Sequence, residues 1–171
     1  MPPEQIIAYA IAQFEKPLVS YAKNITGDLE SARDAVQETF LRLSRQNLPR
    51  LEPRLAPWLY CVCRNCALDH RRRSNRYTDP VDEDHIPADG NPLQHAIAEE
   101  DKKKLASLVA TLPARQQELL KLKFEGDLTY KEMGAVMKMS ISHIGVQLHE
   151  TIQNLRKLWK SDLPFPEQPA P

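Results

Sequence analysis

A chain of 171 residues, 42% hydrophobic and 27% charged, has room for one medium domain or two small ones and reads as folded rather than disordered. No apolar run approaches the ~18–20 residues needed to cross a bilayer. The start, MPPEQIIAYA, lacks the basic-then-apolar order of a secretion signal, so a cytoplasmic protein without membrane insertion is expected. Net charge is zero but unevenly spread. Residues 1–77 carry 12 Lys/Arg against 8 Asp/Glu, residues 78–101 none against 8, and residues 102–171 11 against 7.

In chain order, Ile7, Ile11 and Phe14 share one helical face. Pro17, whose missing N–H does no harm in a first turn, is expected to open a second helix carrying Leu18, Tyr21, Ala22 and Ile25. Gly27-Asp28 stops it. Ala32, Ala35, Val36, Thr39, Phe40 and Leu43 form the next stripe. Residues 44–57, with three prolines, read as loop with at most a short turn. Trp58, Leu59, Val62, Cys63, Cys66 and Ala67 then mark an amphipathic helix that runs into a basic end, RRRSNR.

Residues 78–101 read as an acidic, flexible linker and residues 163–171 as a disordered, proline-rich tail. Between them, Leu105, Leu108, Val109 and Leu112 share a face. Pro113 restarts a helix with Leu119, Leu120, Leu122 and Phe124 apolar, and Gly126-Asp127 ends it. Thr129 and Glu132 have capping-box spacing before a short helix through Met133, Val136 and Met137. Ser140 can cap a last helix with Ile144, Leu148, Ile152, Leu155 and Trp159 on one face. The expected fold is all-α: a helical domain over 1–77, the linker 78–101, and a second helical domain over 102–162. Its short helix, tight turn and long helix over 129–159 have the helix-turn-helix pattern, though an ordinary helical corner shares that spacing.

DAVQETFLRL (34–43), PWLYCVCRNCALDHRRR (57–73) and LPARQQELLKLKFEGDLTYKEMGAVMKMS (112–140), in that order, resemble the successive signatures of extracytoplasmic-function (ECF) sigma factors of the sigma-70 family. The resemblance covers nearly the whole chain. It implies an alternative sigma factor that directs core RNA polymerase to specific promoters and supports their opening, with no enzymatic activity and no cofactor. By the same resemblance the first domain binds polymerase and a single-stranded −10 element, the second binds the duplex −35 element, and the linker threads the polymerase near the RNA exit path. Carried onto this sequence, the polymerase contacts are Asp34, Gln37, Glu38 and Phe40, of which Phe40 serves equally well as a core residue. Single-stranded DNA needs stacking surfaces and positive charge. Trp58, Arg64, Arg71, Arg72, Arg73 and Arg76 supply both, Asn65 can meet a base edge, and Asp69 can orient an arginine. The acidic linker suits a channel built for RNA phosphates, or serves as a solubilising spacer.

The sequence departs from the family in two places. Acids usually precede VQETF; here Asp34 is kept, but Ser31 and Arg33 stand in place of acids. Phosphorylation of Ser31 would restore negative charge; alternatively Ser31 caps the helix and Glu30 supplies the charge. From Ser140 to Leu155 there is no Lys or Arg, so −35 reading rests on Ser140, Ser142, His143 and Gln147, with His149 near phosphate. Gly145 in this helix suggests a close approach.

Cys61, Cys63 and Cys66 are the only cysteines. On one helix Cys61 and Cys66 lie ~140° apart, so the three thiols cannot converge on a metal, and small buried thiols are expected. Two other readings stand beside the sigma factor. One is a freestanding helix-turn-helix regulator, which leaves the first domain without a task. The other is a thiol-based redox or metal sensor, which the helix geometry disfavours. An anti-sigma factor holds many members of the resembling family and is a candidate partner here.

Overall fold

The computed structural model describes residues 1–75 and 96–161; Arg76, residues 78–95 of the expected linker and the expected tail lie outside the described residues. The described residues form an all-α fold with two helical clusters. The first holds α1 (Pro3–Thr26), α2 (Leu29–Leu43), the single turn α3 (Leu48–Leu51) and α4 (Leu55–Ser74). The second holds α5 (Ala96–Ala110), α6 (Ala114–Leu120), α7 (Tyr130–Met137) and α8 (Ile141–Ser161).

Pro17 does not open a new helix. It lies inside α1, which runs unbroken from Pro3 to Thr26. An interior proline costs about 3 kcal/mol by removing one backbone bond. Here Ile6 and Ala10 before it, and Leu18, Tyr21, Ala22 and Ile25 after it, are all buried. Burial of each large side chain contributes roughly 1.5–3 kcal/mol, so packing outweighs the lost bond. Of the expected face before Pro17, Ile7 and Phe14 pack partly buried against the core but Ile11 is exposed, and Ile6 and Ala10 are the fully buried residues. Gly27 ends α1 in the left-handed region at φ 85°. Asp28, not Ser31, caps α2: its carboxylate accepts from the Ser31 backbone N–H at 2.7 Å.

Helix α4 starts at Leu55, with Pro57 tolerated in its first turn. Leu59, Tyr60, Cys63, Cys66 and Ala67 bury one side of it among α1 and α2. In the second cluster α5 begins at Ala96, inside the stretch 78–101 expected to be linker. AIAEED is made largely of good helix formers, and Glu99 pairs with Lys102 one turn on at 3.9 Å.

Thr129 and Glu132 make the full capping box, with bonds of 2.8 and 3.2 Å. Helix α7 ends at Lys138, in the left-handed region at φ 56°. Ser140 accepts the His143 N–H at 3.1 Å and so caps α8. Together α7 and α8 form the helix-turn-helix. The turn is tight at Gly134, where a Cβ would lie 2.6 Å from the Met139 carbonyl oxygen. Gly145 is different. A Cβ there would meet the Tyr130 ring at 3.6 Å, an ordinary contact, so the close approach expected at Gly145 is absent.

The two clusters pack against each other and share one continuous core. Tyr21 of α1 and Tyr60 of α4 meet edge to face at 5.1 Å between ring centroids. Gly126, at the end of a π-turn over Lys121–Glu125, lies so close to Tyr60 that a Cβ would be 2.9 Å from its ring. The Asn24 side-chain amide donates to the Ala114 carbonyl at 3.1 Å, and the Lys121 ammonium donates to the Ser20 hydroxyl at 2.7 Å.

Two glycine substitutions in the helix-turn-helix should therefore have opposite signs. Gly145→Ala is expected to stabilise the chain by up to about 1 kcal/mol. Gly134→Ala is expected to destabilise it by about 1–3 kcal/mol, because backbone must shift. Urea unfolding of both variants checks the pair, and equal signs would contradict the geometry.

Candidate nucleic-acid interface

Helix α2 buries Ala32, Ala35, Val36, Thr39 and Leu43. Its opposite face therefore points outward and carries Glu30, Asp34, Gln37 and Leu41, all exposed. Leu41 is 60% exposed, unusual for a leucine between buried neighbours, and the sequence reading passed over it. Its place one turn beyond Gln37 was the available signal. Glu30 shares the face of Asp34 and supplies a second acid there, while Arg33 stands at the flank. Glu38 is half-buried and held by its own helix and by α4: Arg42 donates to it at 2.6 Å, and His70 lies 4.0 Å away. Phe40 packs against the core.

At ~100° per residue, Trp58, Asn65, Asp69 and Arg72 fall within about 60° of one another on α4, with Arg73 at the edge. Asn65, Asp69, Arg72 and Arg73 are exposed, and Trp58 is half-buried against the core. Asp69 lies 3.7 Å from Arg72, in position to orient it. The three arginines 71–73 occupy the last turn, where the carbonyl end of the helix favours cations. Arg64 stands apart, about 120° round the helix from Trp58. Its side chain is largely buried, and its guanidinium pairs with Glu118 of α6 at 2.5 Å. Glu118 also accepts the Tyr21 hydroxyl at 2.6 Å. Burial and, after it, the Glu118 charge hold the Tyr21 phenol well above its ordinary range.

On α8, burial of Ile144, Leu148 and Thr151 turns Ser142, His143, Val146, His149 and Glu150 to solvent. Gln147 is half-buried at the edge of this stripe, and Ser140 is occupied as the cap. Val146, 55% exposed, was missed in the sequence because an apolar residue in a helix reads as core. Lys131 at the start of α7 and Lys138 in the turn before α8 are both exposed. They supply cations that α8 itself lacks until Arg156.

Cys63 and Cys66 are buried and Cys61 is half-buried; all three are free thiols. Burial pushes the Cys63 thiol up to about 12, and burial raises Cys66 too. Among the described residues no group of three or more His, Cys, Asp or Glu is placed to hold a metal ion. Among them, too, no helix is long and apolar enough to cross a membrane.

Residues 10–77 match the family Sigma-70 region 2, and residues 108–157 match Sigma-70, region 4. The ECF RNA polymerase sigma factor SigM of Bacillus subtilis is 28% identical over 80% of this chain and 84% of its own length. The ECF RNA polymerase sigma factor SigE of Mycolicibacterium smegmatis is 31% identical over 79% of this chain and 54% of its own. Among solved structures, the sigma factor RpoE in complex with the anti-sigma factor NepR, from Bartonella quintana, matches the fold at a TM-score of 0.67 and 18% identity. That match covers 91% of this chain and 97% of the other. CnrH in complex with the cytosolic domain of CnrY matches over 91% of this chain and 88% of its own, at a TM-score of 0.57 and 19% identity. Region 2 matched on the first helical cluster and region 4 on the second, with its helix-turn-helix, mark a two-part transcription initiation subunit. The chain belongs to the sigma-70 family, and within it to the ECF type. It functions as an alternative sigma factor, directing RNA polymerase to promoters.

The thiols give a signed prediction. The unfolded chain ionises Cys63 near its ordinary value of 9, whereas the folded chain holds the proton to about 12. Above pH 9 the unfolded state therefore binds fewer protons, and stability falls as pH rises from 9 toward 12. Urea midpoints across that range should fall, and less steeply in Cys63→Ala. A thiol reagent added to folded protein should label Cys61 first, with Cys63 and Cys66 reacting only on unfolding.

Proposed function

We propose that the outward face of α2 docks on core RNA polymerase, that the α4 stripe captures the single-stranded −10 element, and that the α8 stripe reads the duplex −35 element. The observation that carries this reading is the matching of region 2 and region 4, in order, to the two clusters that present these faces. Glu30, Asp34 and Gln37 offer acceptors to a basic partner helix, and Leu41 gives that contact a desolvated apolar centre. Trp58 and the aliphatic stems beside it offer stacking, Asn65 a base-edge contact, and Arg72 and Arg73 phosphate contacts. Arg71 adds charge to the same helix end from another face, and Arg76 follows in the sequence. A phosphate on Ser31, half-buried on the first turn of α2, would place negative charge one turn before Asp34 and at the positive end of the helix.

On α8, Ser142, His143 and Gln147 face base edges, Val146 offers methyl groups to a thymine, and His149, Lys131 and Lys138 lie toward phosphate. Glu150 opposes the DNA charge. Few phosphates are neutralised, so the second cluster contributes sequence reading more than affinity. The linker joins the two promoter contacts through the polymerase. An anti-sigma factor is a fitting partner, because the RpoE structure that shares this fold was solved with the anti-sigma factor NepR.

The experiment is binding of the full chain to bacterial core RNA polymerase at physiological salt. Asp34→Lys and Leu41→Ala should each weaken it by roughly tenfold, about 1.4 kcal/mol, while Gln13→Ala on the far part of α1 should not. Binding that is indifferent to both α2 variants would move the interface elsewhere. No binding by the unaltered chain, with or without a phosphate at Ser31, would overturn the reading.

A further inference from the structure

The second cluster carries a groove of about 520 Å³ where the turn between α5 and α6 meets the end of α8. Leu112, Pro113 and Leu158 line it, and the exposed Asn154, Lys157 and Ser161 stand beside them. Its walls are fixed by contacts outside the groove. Gln117 donates to the Ala110 and Leu112 carbonyls at 3.2 and 2.9 Å and so holds the turn. The Lys104 ammonium lies 4.4 Å from the centroid of the Trp159 ring and ties α5 to α8. A groove built this way is preformed, and a ligand does not have to order it.

Helix α8 ends at Ser161, which itself lines the groove. The next ten residues, DLPFPEQPAP (162–171), lie outside the described residues. Their composition is not that of a solubilising spacer. Seven of the nine residues 163–171 are apolar or proline, and Asp162 and Glu167 are the only charged side chains of the segment. Leu163 and Phe165 alternate with Pro164 and Pro166. Proline presets an extended backbone, so ordering such a stretch costs less entropy than ordering a free coil. The lengths agree. From Asn154 to Ser161 the helix rises about 10 Å. The four residues 163–166 span about 12 Å at ~3.1 Å each. The charges agree as well. The segment is acidic, and the end of α8 carries Arg156, Lys157 and Lys160, all exposed.

We propose that the segment 162–171 folds back onto the second cluster and seats Leu163 and Phe165 in this groove, with Lys157 facing its acids. The site takes an acidic, proline-spaced apolar peptide, and the chain carries that ligand next to it. A tether of a few residues gives the ligand an effective concentration of about 1 mM, so a weak contact is enough to keep the groove filled. Any other protein that uses the groove must first displace the tail.

The test measures fluorescence anisotropy of a labelled synthetic peptide of residues 162–171 with two full-length chains. One is unaltered, and the other carries Leu163→Ser and Phe165→Ser, both outside the described helices. The altered chain should bind the peptide with a Kd of about 0.1 mM. The unaltered chain should bind it about tenfold more weakly, because its own tail at about 1 mM competes. Adding Lys157→Glu to the altered chain should weaken the peptide by roughly three- to tenfold, with helicity by circular dichroism unchanged. A peptide carrying D162K and E167K should recover that loss. No binding to the altered chain at about 1 mM peptide overturns the proposal. Equal binding by both chains also overturns it, because the tail then leaves the groove open. Binding that ignores Lys157→Glu places the seat elsewhere and overturns it too. Sedimentation of the unaltered chain identifies the occupant: a monomer is expected, and a dimer that Phe165→Ser dissociates would put the tail in a second copy and overturn the intramolecular seat.

Discussion

Helix α4 is divided among three surroundings, and the rest of the structure follows from that division. One side buries Leu59, Cys63, Cys66 and Ala67 among α1 and α2 and so builds the first cluster. A second side, with Tyr60 and Arg64, faces α6 and the turn at Gly126. The third presents Trp58, Asn65, Asp69 and Arg72 to solvent. A helix has about one turn per 3.6 residues in which to separate such demands. The small side chains on its inner face let α1 and α2 approach closely, and cysteine is suited to that place as a compact apolar group. The thiols look like chemistry in the sequence and behave as packing in the fold.

Much of this was legible in the sequence because the helices are long and their apolar residues periodic. The capping box at Thr129 and Glu132, the stop at Gly27 and the cap at Ser140 are local signals, and local signals survive folding. Pro17 misled because its penalty is local while the burial on either side of it is tertiary. Ala96–Asp101 misled because its acidity masked good helix formers. Leu41 and Val146 were passed over for a shared reason: a lone apolar residue reads as core unless its neighbours on the face are known to be outside.

Arg64 shows the limit most plainly. In the sequence it is one of five arginines in CVCRNCALDHRRRSNR, and its type and spacing group it with the others. Helical periodicity turns it about 120° from Trp58, but only the position of α6 shows what it meets there. A contact between residues 54 positions apart leaves no periodic trace, and a buried acid such as Glu118 looks, in sequence, like any solvated helix residue. Candidate base contacts on α4 and α8 could be ranked by residue type, but the faces that expose them were fixed by what the opposite faces bury.

The Tyr60 hydroxyl is buried and, among the described residues, has no hydrogen-bond partner. An unmet hydroxyl of this kind costs about 1–3 kcal/mol in the folded state. The penalty lies at the seam between the clusters, beside Gly126, and not in the interior of either one. At that point the seam is held by the fit of the Tyr60 ring against Gly126 and not by its hydroxyl, so shape and not polarity decides what can stand there.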